Sequence, residues 1–156
     1  MINNLLDSLN YENIYLIVNW GILPFWLLLI VMPNHLITKF LVQSIILPLI
    51  LACTYGFVAY NIFLEGNILD SFELYSGLDG LYSMFSNEAF LLIFWLHFLA
   101  INLFIGSWIS RDSERYAVNK FFIIISLVLT YFTGPFGLVF YWFIRIFYAK
   151  KIGFND

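Results

Sequence analysis

The 156-residue chain is 62% hydrophobic and only 11% charged, with a mean hydropathy of +0.88, too little charge to cover a soluble domain of this size. A net charge of −3 argues against nucleic acid as a partner, since phosphate binding needs a basic face. The single cysteine, Cys53, lies inside an apolar run, which leaves neither a disulfide frame nor a thiolate metal cluster.

The first thirteen residues, MINNLLDSLNYEN, contain Asp7 and Glu12 but no Lys or Arg, and no small-residue cleavage site follows, unlike a signal peptide. Ile2, Leu5, Leu6 and Leu9 fall at helical spacing, which predicts a short helix lying in the membrane interface. A first span follows over about Ile14–Met32 and stops at Pro33-Asn34-His35. The second runs over about Leu36–Leu64 with Pro48 inside it. The next segment, EGNILDSFELYSGLDGLYSMFSNE, holds five acidic residues and no basic ones. Its Leu74, Leu78, Leu81 and Phe85 share a helical face, with Tyr75 and Tyr82 nearby, so a short amphipathic element resting on the surface is expected. Gly77 and Gly80 weaken any helix there.

The third span covers about Ala89–Ile109, and the fourth about Lys120–Ala149, interrupted by TGPFG. Each is long enough for ~30 Å of hydrocarbon at ~1.5 Å per residue. The fold class is therefore all-α: a single-domain integral membrane bundle of four transmembrane helices with short interfacial amphipathic segments. Pro48 and Pro135 are expected to kink their helices toward the bundle interior, where freed backbone groups find partners. Lys39, Arg111, Arg115 and Lys120 flank two loops on one side, and the acidic 65–88 segment lies on the other. The positive-inside rule makes the first side cytoplasmic. With four spans, Lys150 and Lys151 then fall outside. Either this tail is an exception or TGPFG turns the chain back, in two pieces of ~21 Å that are too short to span singly. Four spans are retained.

Chemistry concentrates in FWLHFLAINLFIGSWISRD, Phe94 to Asp112. On a helix, His97, Phe104 and Trp108 align within about 20°, while Trp95, Asn102, Gly106 and Ile109 form a second stripe about 140° away. His97 and Asn102 therefore need not face one pocket, although a long ligand could touch both across ~7.5 Å of helix axis. Either could be interhelical hydrogen-bond glue. Polar groups inside a membrane are also functional candidates, and imidazole exchanges a proton near neutral pH. An amide orients a ligand but is neither acid nor base. Arg111 and Asp112 sit where the helix meets water, and Arg145 has the position of a snorkelling anchor. No HExxH, CxxC or phosphate loop occurs, and His35 and His97 are the only histidines. A histidine-rich di-iron site cannot be built from two histidines, and no metal or cofactor is expected. Few charged residues line the spans, which disfavours a transporter or channel.

W-x-H-x-x-A-x-N-L-F-x-G-x-W-x-x-R-D (Trp95 to Asp112) and F-x-G-P-F-G-L-x-x-Y-x-x-x-R (Phe132 to Arg145), with Trp26, Pro33, Pro48 and Tyr55 before them, resemble the plant neoxanthin synthase family, the abscisic-acid-deficient-4-like membrane proteins. The resemblance covers about residues 19–147. It implies carotenoid chemistry: conversion of an epoxide end ring to an allenic end, a redox-neutral isomerisation that needs an acid at oxygen and a base at carbon. On this basis His97 and Asn102 are the expected catalytic residues. Trp95, Trp108, Arg111, Asp112, Tyr55, Pro135 and Arg145 are expected to contact substrate. Asn102 stands where the family is expected to carry an aspartate, a departure that bears on catalysis. The implied partners are a carotenoid or related polyene lipid and the bilayer, in a bacterial inner membrane or a plastid membrane, with a homo-oligomer left open. The alternative function is a non-catalytic carotenoid or retinoid binder, or a pigment-assembly protein.

Overall fold

The computed structural model describes residues 10–44, 46–65, 72, 75–150 and 152–153. The expected N-terminal interfacial helix and Leu74 lie outside them. Every regular element among the described residues is helical: α1 (Tyr11–Gly21), α2 (Leu23–Val31), α3 (Leu36–Leu41), α4 (Ile46–Glu65), α5 (Leu78–Phe85), α6 (Glu88–Arg115), α7 (Lys120–Thr133) and α8 (Pro135–Ala149). Among the described residues, three stretches are long and apolar enough to cross a membrane: Tyr11–Val31, Leu36–Ile62 and Glu88–Arg115. The all-α, membrane-type fold expected from composition is therefore present.

Two compact units divide the chain. The first comprises Met1–Ile22 and Ile50–His97. Its core is Ile14 of α1, Val58 of α4, and Leu92 and Leu96 of α6, flanked by Val18, Ile62 and Ile93. Asn10 caps α1 by accepting from the Asn13 N–H at 2.7 Å. The expected surface element appears as α5, with Met84 turned inward and Leu78 and Tyr82 exposed.

The second unit comprises Leu23–Leu49 and Phe98–Asp156. Here the chain on either side of α3 is irregular, and the side chains of Thr38, Gln43 and Ser107 satisfy its carbonyls. Thr38 Oγ1 donates to the Met32 carbonyl (2.7 Å), Gln43 Nε2 to the Pro33 carbonyl (3.0 Å), and Ser107 Oγ to the Val42 carbonyl (2.8 Å). Non-helical backbone away from water persists only with such partners. Pro48 does not kink a long helix. It is the third residue of α4, in the first turn, where its missing N–H has no helical partner to lose.

The largest difference from expectation concerns 120–149. These residues form two helices that pack against each other, joined at Gly134 with φ +58°. A Cβ placed on Gly137 would meet Thr130 Oγ1 and the Thr130 backbone N, and would lie 2.6 Å from the Ser126 carbonyl. In one continuous helix residues 126 and 137 would be ~16 Å apart. The chain therefore doubles back. Ser126 and Thr130 are buried and donate to the carbonyls of Phe122 and Thr130's own i−4 residue, Ser126; these small residues face Gly137 and let the backbones approach closely. Pro135 is the first residue of α8 and exposed, a helix-start proline rather than a kink. At 14 and 15 residues, α7 and α8 reach only ~21–23 Å each, shorter than ~30 Å of hydrocarbon. The basic residues then agree with the positive-inside rule. Lys39 pairs with Glu114 at 3.6 Å, and Arg111, Arg115, Lys120 and Lys150 flank the same ends of α6, α7 and α8.

In a Cys53→Ala background, single cysteines at Asn34, Asn119 and Lys150 should all react with a membrane-impermeant maleimide from one side of sealed vesicles. Labelling of the residue-150 position from the opposite side alone would restore a fourth crossing.

Candidate functional site

In the first unit, His97 and Tyr55 are both exposed and their ring centroids are 6.4 Å apart at 52°. Trp95 is partly buried and packs on Tyr15 with centroids 6.1 Å apart. His97 lies nine residues into α6, roughly 14 Å from its start and well inside the stretch that can span hydrocarbon. The buried stripe of α6 is the one carrying Asn102, Gly106 and Ile109, whereas His97 and Phe104 lie on exposed surface, as the 140° separation requires.

In the second unit, Asn102 is 4% exposed, and its Nδ2 has no hydrogen-bond partner among the described residues. Its Oδ1 would be 2.5 Å from a Cβ at Gly134, so the tip of the α7–α8 hairpin closes directly onto the amide. One turn along α6, Gly106 receives the Trp26 ring, whose Cη2 would lie 2.7 Å from an added Cβ. Trp26 also meets Tyr131 edge-on, with centroids 5.5 Å apart.

At the far end of the hairpin, Asp112 and Arg145 form a buried ion pair. Arg145 Nε donates to Asp112 Oδ2 at 2.7 Å, and the Tyr141 hydroxyl donates to the same oxygen at 2.7 Å. The remaining guanidinium donors reach the Gly153 carbonyl (2.9 Å) and the Tyr116 hydroxyl (3.3 Å). The Tyr116 and Trp142 rings lie 4.9 and 5.3 Å from the guanidinium carbon. Trp108 closes the cluster edge-on against Tyr141 at 5.6 Å. Arg145 is thus fully buried, with its polar groups engaged by protein, and it does not snorkel to water. Its neighbour in sequence motif, Arg111, is exposed.

Apart from the exposed Arg111, the expected site residues fall into three groups: Tyr55, Trp95 and His97; Asn102 of α6 beside the hairpin tip at Gly134, which the exposed Pro135 follows; and Trp108, Asp112 and Arg145 in the ion-pair cluster. Sequence reasoning passed over Tyr141 and Tyr116 as partners of the ion pair. Tyr141 stands one helical turn before Arg145, a spacing that places both on one face and that carried the missed signal. Gly134 was read as a helix interruption, and its contact with Asn102 is a long-range feature without local signature.

Removing either member of the buried pair leaves an uncompensated charge, so Asp112→Ala and Arg145→Ala should each cost about 3–5 kcal/mol in unfolding measured by circular dichroism in detergent. A loss below about 1 kcal/mol would place the pair among weak surface contacts. Gly134→Ala should cost at least about 1–3 kcal/mol from its left-handed backbone alone, and less in an Asn102→Ala background than in the native one, because the amide contact is then removed.

A family model described as ABA DEFICIENT 4-like matches residues 13–141. Among curated proteins, "Protein ABA DEFICIENT 4, chloroplastic" of Arabidopsis thaliana is 27% identical over 104 residues, covering 65% of this chain and 47% of that protein. The chain thus spans about half the length of this relative. No solved structure matches. The family match takes in α1 through the Tyr141 that donates to Asp112, and so includes the hairpin tip and both faces of α6: the chain belongs to the ABA DEFICIENT 4-like family.

Proposed function

We propose that this protein is a carotenoid-modifying membrane enzyme of the isomerase type, acting on an oxygenated end ring that reaches it laterally through the bilayer. The observation that supports this most is the exposed His97–Tyr55 pair in a spanning segment. An imidazole and a phenol open to the surrounding lipid are available to a substrate that never leaves hydrocarbon. In the proposed step the C–O bond of an epoxide opens and the alkoxide takes a proton from the Tyr55 hydroxyl. His97 takes the proton lost from the adjacent polyene carbon as the allenic double bonds form. Proton return from His97 to Tyr55 resets the pair. The product is an isomer of the substrate, so no electron acceptor enters the balance. Asn102 belongs to the second unit, where it is buried against Gly134, and its unfilled Nδ2 donor is given no part in this step. The relative is named for the chloroplast, and of the two membranes considered a plastid membrane is the one we propose.

The second reading, a carotenoid binder without catalysis, draws on that same Asn102: an amide in place of the carboxylate expected by resemblance leaves a ligand donor but no proton acceptor.

Expressed in a host that accumulates an epoxy-carotenoid, the native chain should convert it, and His97→Ala should lower conversion by about 100-fold or more, read by chromatography of pigment extracts. Tyr55→Phe should slow conversion while leaving co-purified pigment unchanged. Conversion by His97→Ala at the native rate would overturn the role of the imidazole. Unaltered pigment that co-purifies with the native chain would favour the binder.

A further inference from the structure

The first unit contains a cavity of about 470 Å³ between the starts of α1 and α6; it shares Trp95 with the expected substrate contacts, but the proposed proton-transfer step makes no use of it. Tyr11, Glu12 and Tyr15 line it from α1, and Glu88 and Trp95 from α6, over a floor of leucine side chains. Both helices belong to stretches able to cross a membrane and both begin here, so the cavity lies at head-group level. Glu12 and Glu88 are exposed and stand in the first turns of their helices.

First-turn carboxylates often serve only to cap a helix, but here the caps are already made. Asn10 Oδ1 accepts from Asn13 N–H at 2.7 Å, and Asn87 Oδ1 accepts from the N–H groups of Ala89 and Phe90 at 3.0 and 3.3 Å. Two helix N-termini supply roughly half a positive charge each against two carboxylates, which leaves a balance of about one negative charge. No basic residue of the same unit can neutralise it. The segments 1–22 and 50–97 hold seven of the ten acidic residues of the chain and none of its seven Lys and Arg.

The walls carry the same sign. Tyr15, 39% exposed, and Trp95 form an open V with centroids 6.1 Å apart and planes at 48°. Both rings line the cavity, and a cation within about 6 Å of the centroid of such a ring, over its face, is attracted by the quadrupole. A neutral hydroxylated ring could donate to a carboxylate but would leave the net charge unmet. We propose that this cavity binds a quaternary ammonium group, that of a choline lipid whose acyl chains lie along the apolar flank of α6. The proposal is independent of the carotenoid reading.

The test uses the full chain in an uncharged maltoside detergent, with dihexanoylphosphatidylcholine, dihexanoylphosphatidylglycerol and choline chloride as calorimetric titrants. The choline lipid should bind saturably and the glycerol lipid should not. Tetramethylammonium chloride should displace the choline lipid from the unaltered protein where sodium chloride of equal ionic strength does not. The near-isosteric double change Glu12→Gln with Glu88→Gln should weaken binding roughly tenfold or more. Choline chloride binding as tightly as the lipid would retain the ammonium site and assign it to a soluble cation. Equal binding of both lipids, displacement by sodium chloride alone, or unchanged affinity in the double variant would overturn the proposal.

Discussion

A charged residue taken out of water needs an opposite charge and a complete set of hydrogen bonds, and the second unit is arranged around one such demand. Arg145 has no access to solvent, and its guanidinium is met by the Asp112 carboxylate, the Gly153 carbonyl and the Tyr116 hydroxyl. Tyr141 satisfies the same carboxylate oxygen from the previous turn of α8. Such a pair adds little stability over a well-packed apolar substitute, because desolvation consumes most of the attraction. What it supplies is register. Two groups with directional bonds fix which turn of α8 lies beside which turn of α6, where leucines alone would tolerate sliding.

Register at that end determines what happens at the other. With residue 145 held at residue 112, the hairpin tip at Gly134 falls beside Asn102, ten residues earlier on α6 and ~15 Å away along its axis. The two spans match: eleven residues of α8 against ten of α6. The close approach of Gly134 to Asn102 follows from that alignment, while those of Gly106 to Trp26 and of Gly137 to Thr130 join α6 to α2 and α7 to α8, and each leaves no room for a Cβ. An unfilled amide donor at the tip is stable in that setting because the surrounding contacts, not its own hydrogen bonds, hold it there.

Much of this was legible in the residues. Apolar run lengths gave the spanning stretches, and the 100° step of the helix correctly separated the His97 face from the Asn102 face. The conflict between Lys150, Lys151 and the positive-inside rule was already a sign of the turn at TGPFG, one of the two readings kept open. The choice between them depended on contacts between residues eleven apart, Ser126 and Gly137, which no local propensity reports. Arg145 is a buried ion-pair partner rather than a snorkelling residue, and this was hidden for the same reason: thirty-three positions separate it from Asp112, and the chain must turn back before the two can meet. Pro48 failed differently. Its effect depends on its place within a helix, and the irregular stretch before α4, held by Gln43 and Ser107, moved the helix start to within two residues of it.

The two faces of α6 also make different demands on their surroundings. A polar side chain on the packed face must be satisfied by protein or remain costly, as Ser107 is through the Val42 carbonyl. One on the open face at membrane depth has only the contents of the bilayer and the nearest side chain to answer it. For His97 that side chain is Tyr55, itself exposed, and a ring contact between them does not fill both ring nitrogens of an imidazole. On the reading proposed above, an imidazole in this position selects its ligands by partitioning before it selects them by shape, because charged or strongly hydrated molecules are excluded from hydrocarbon.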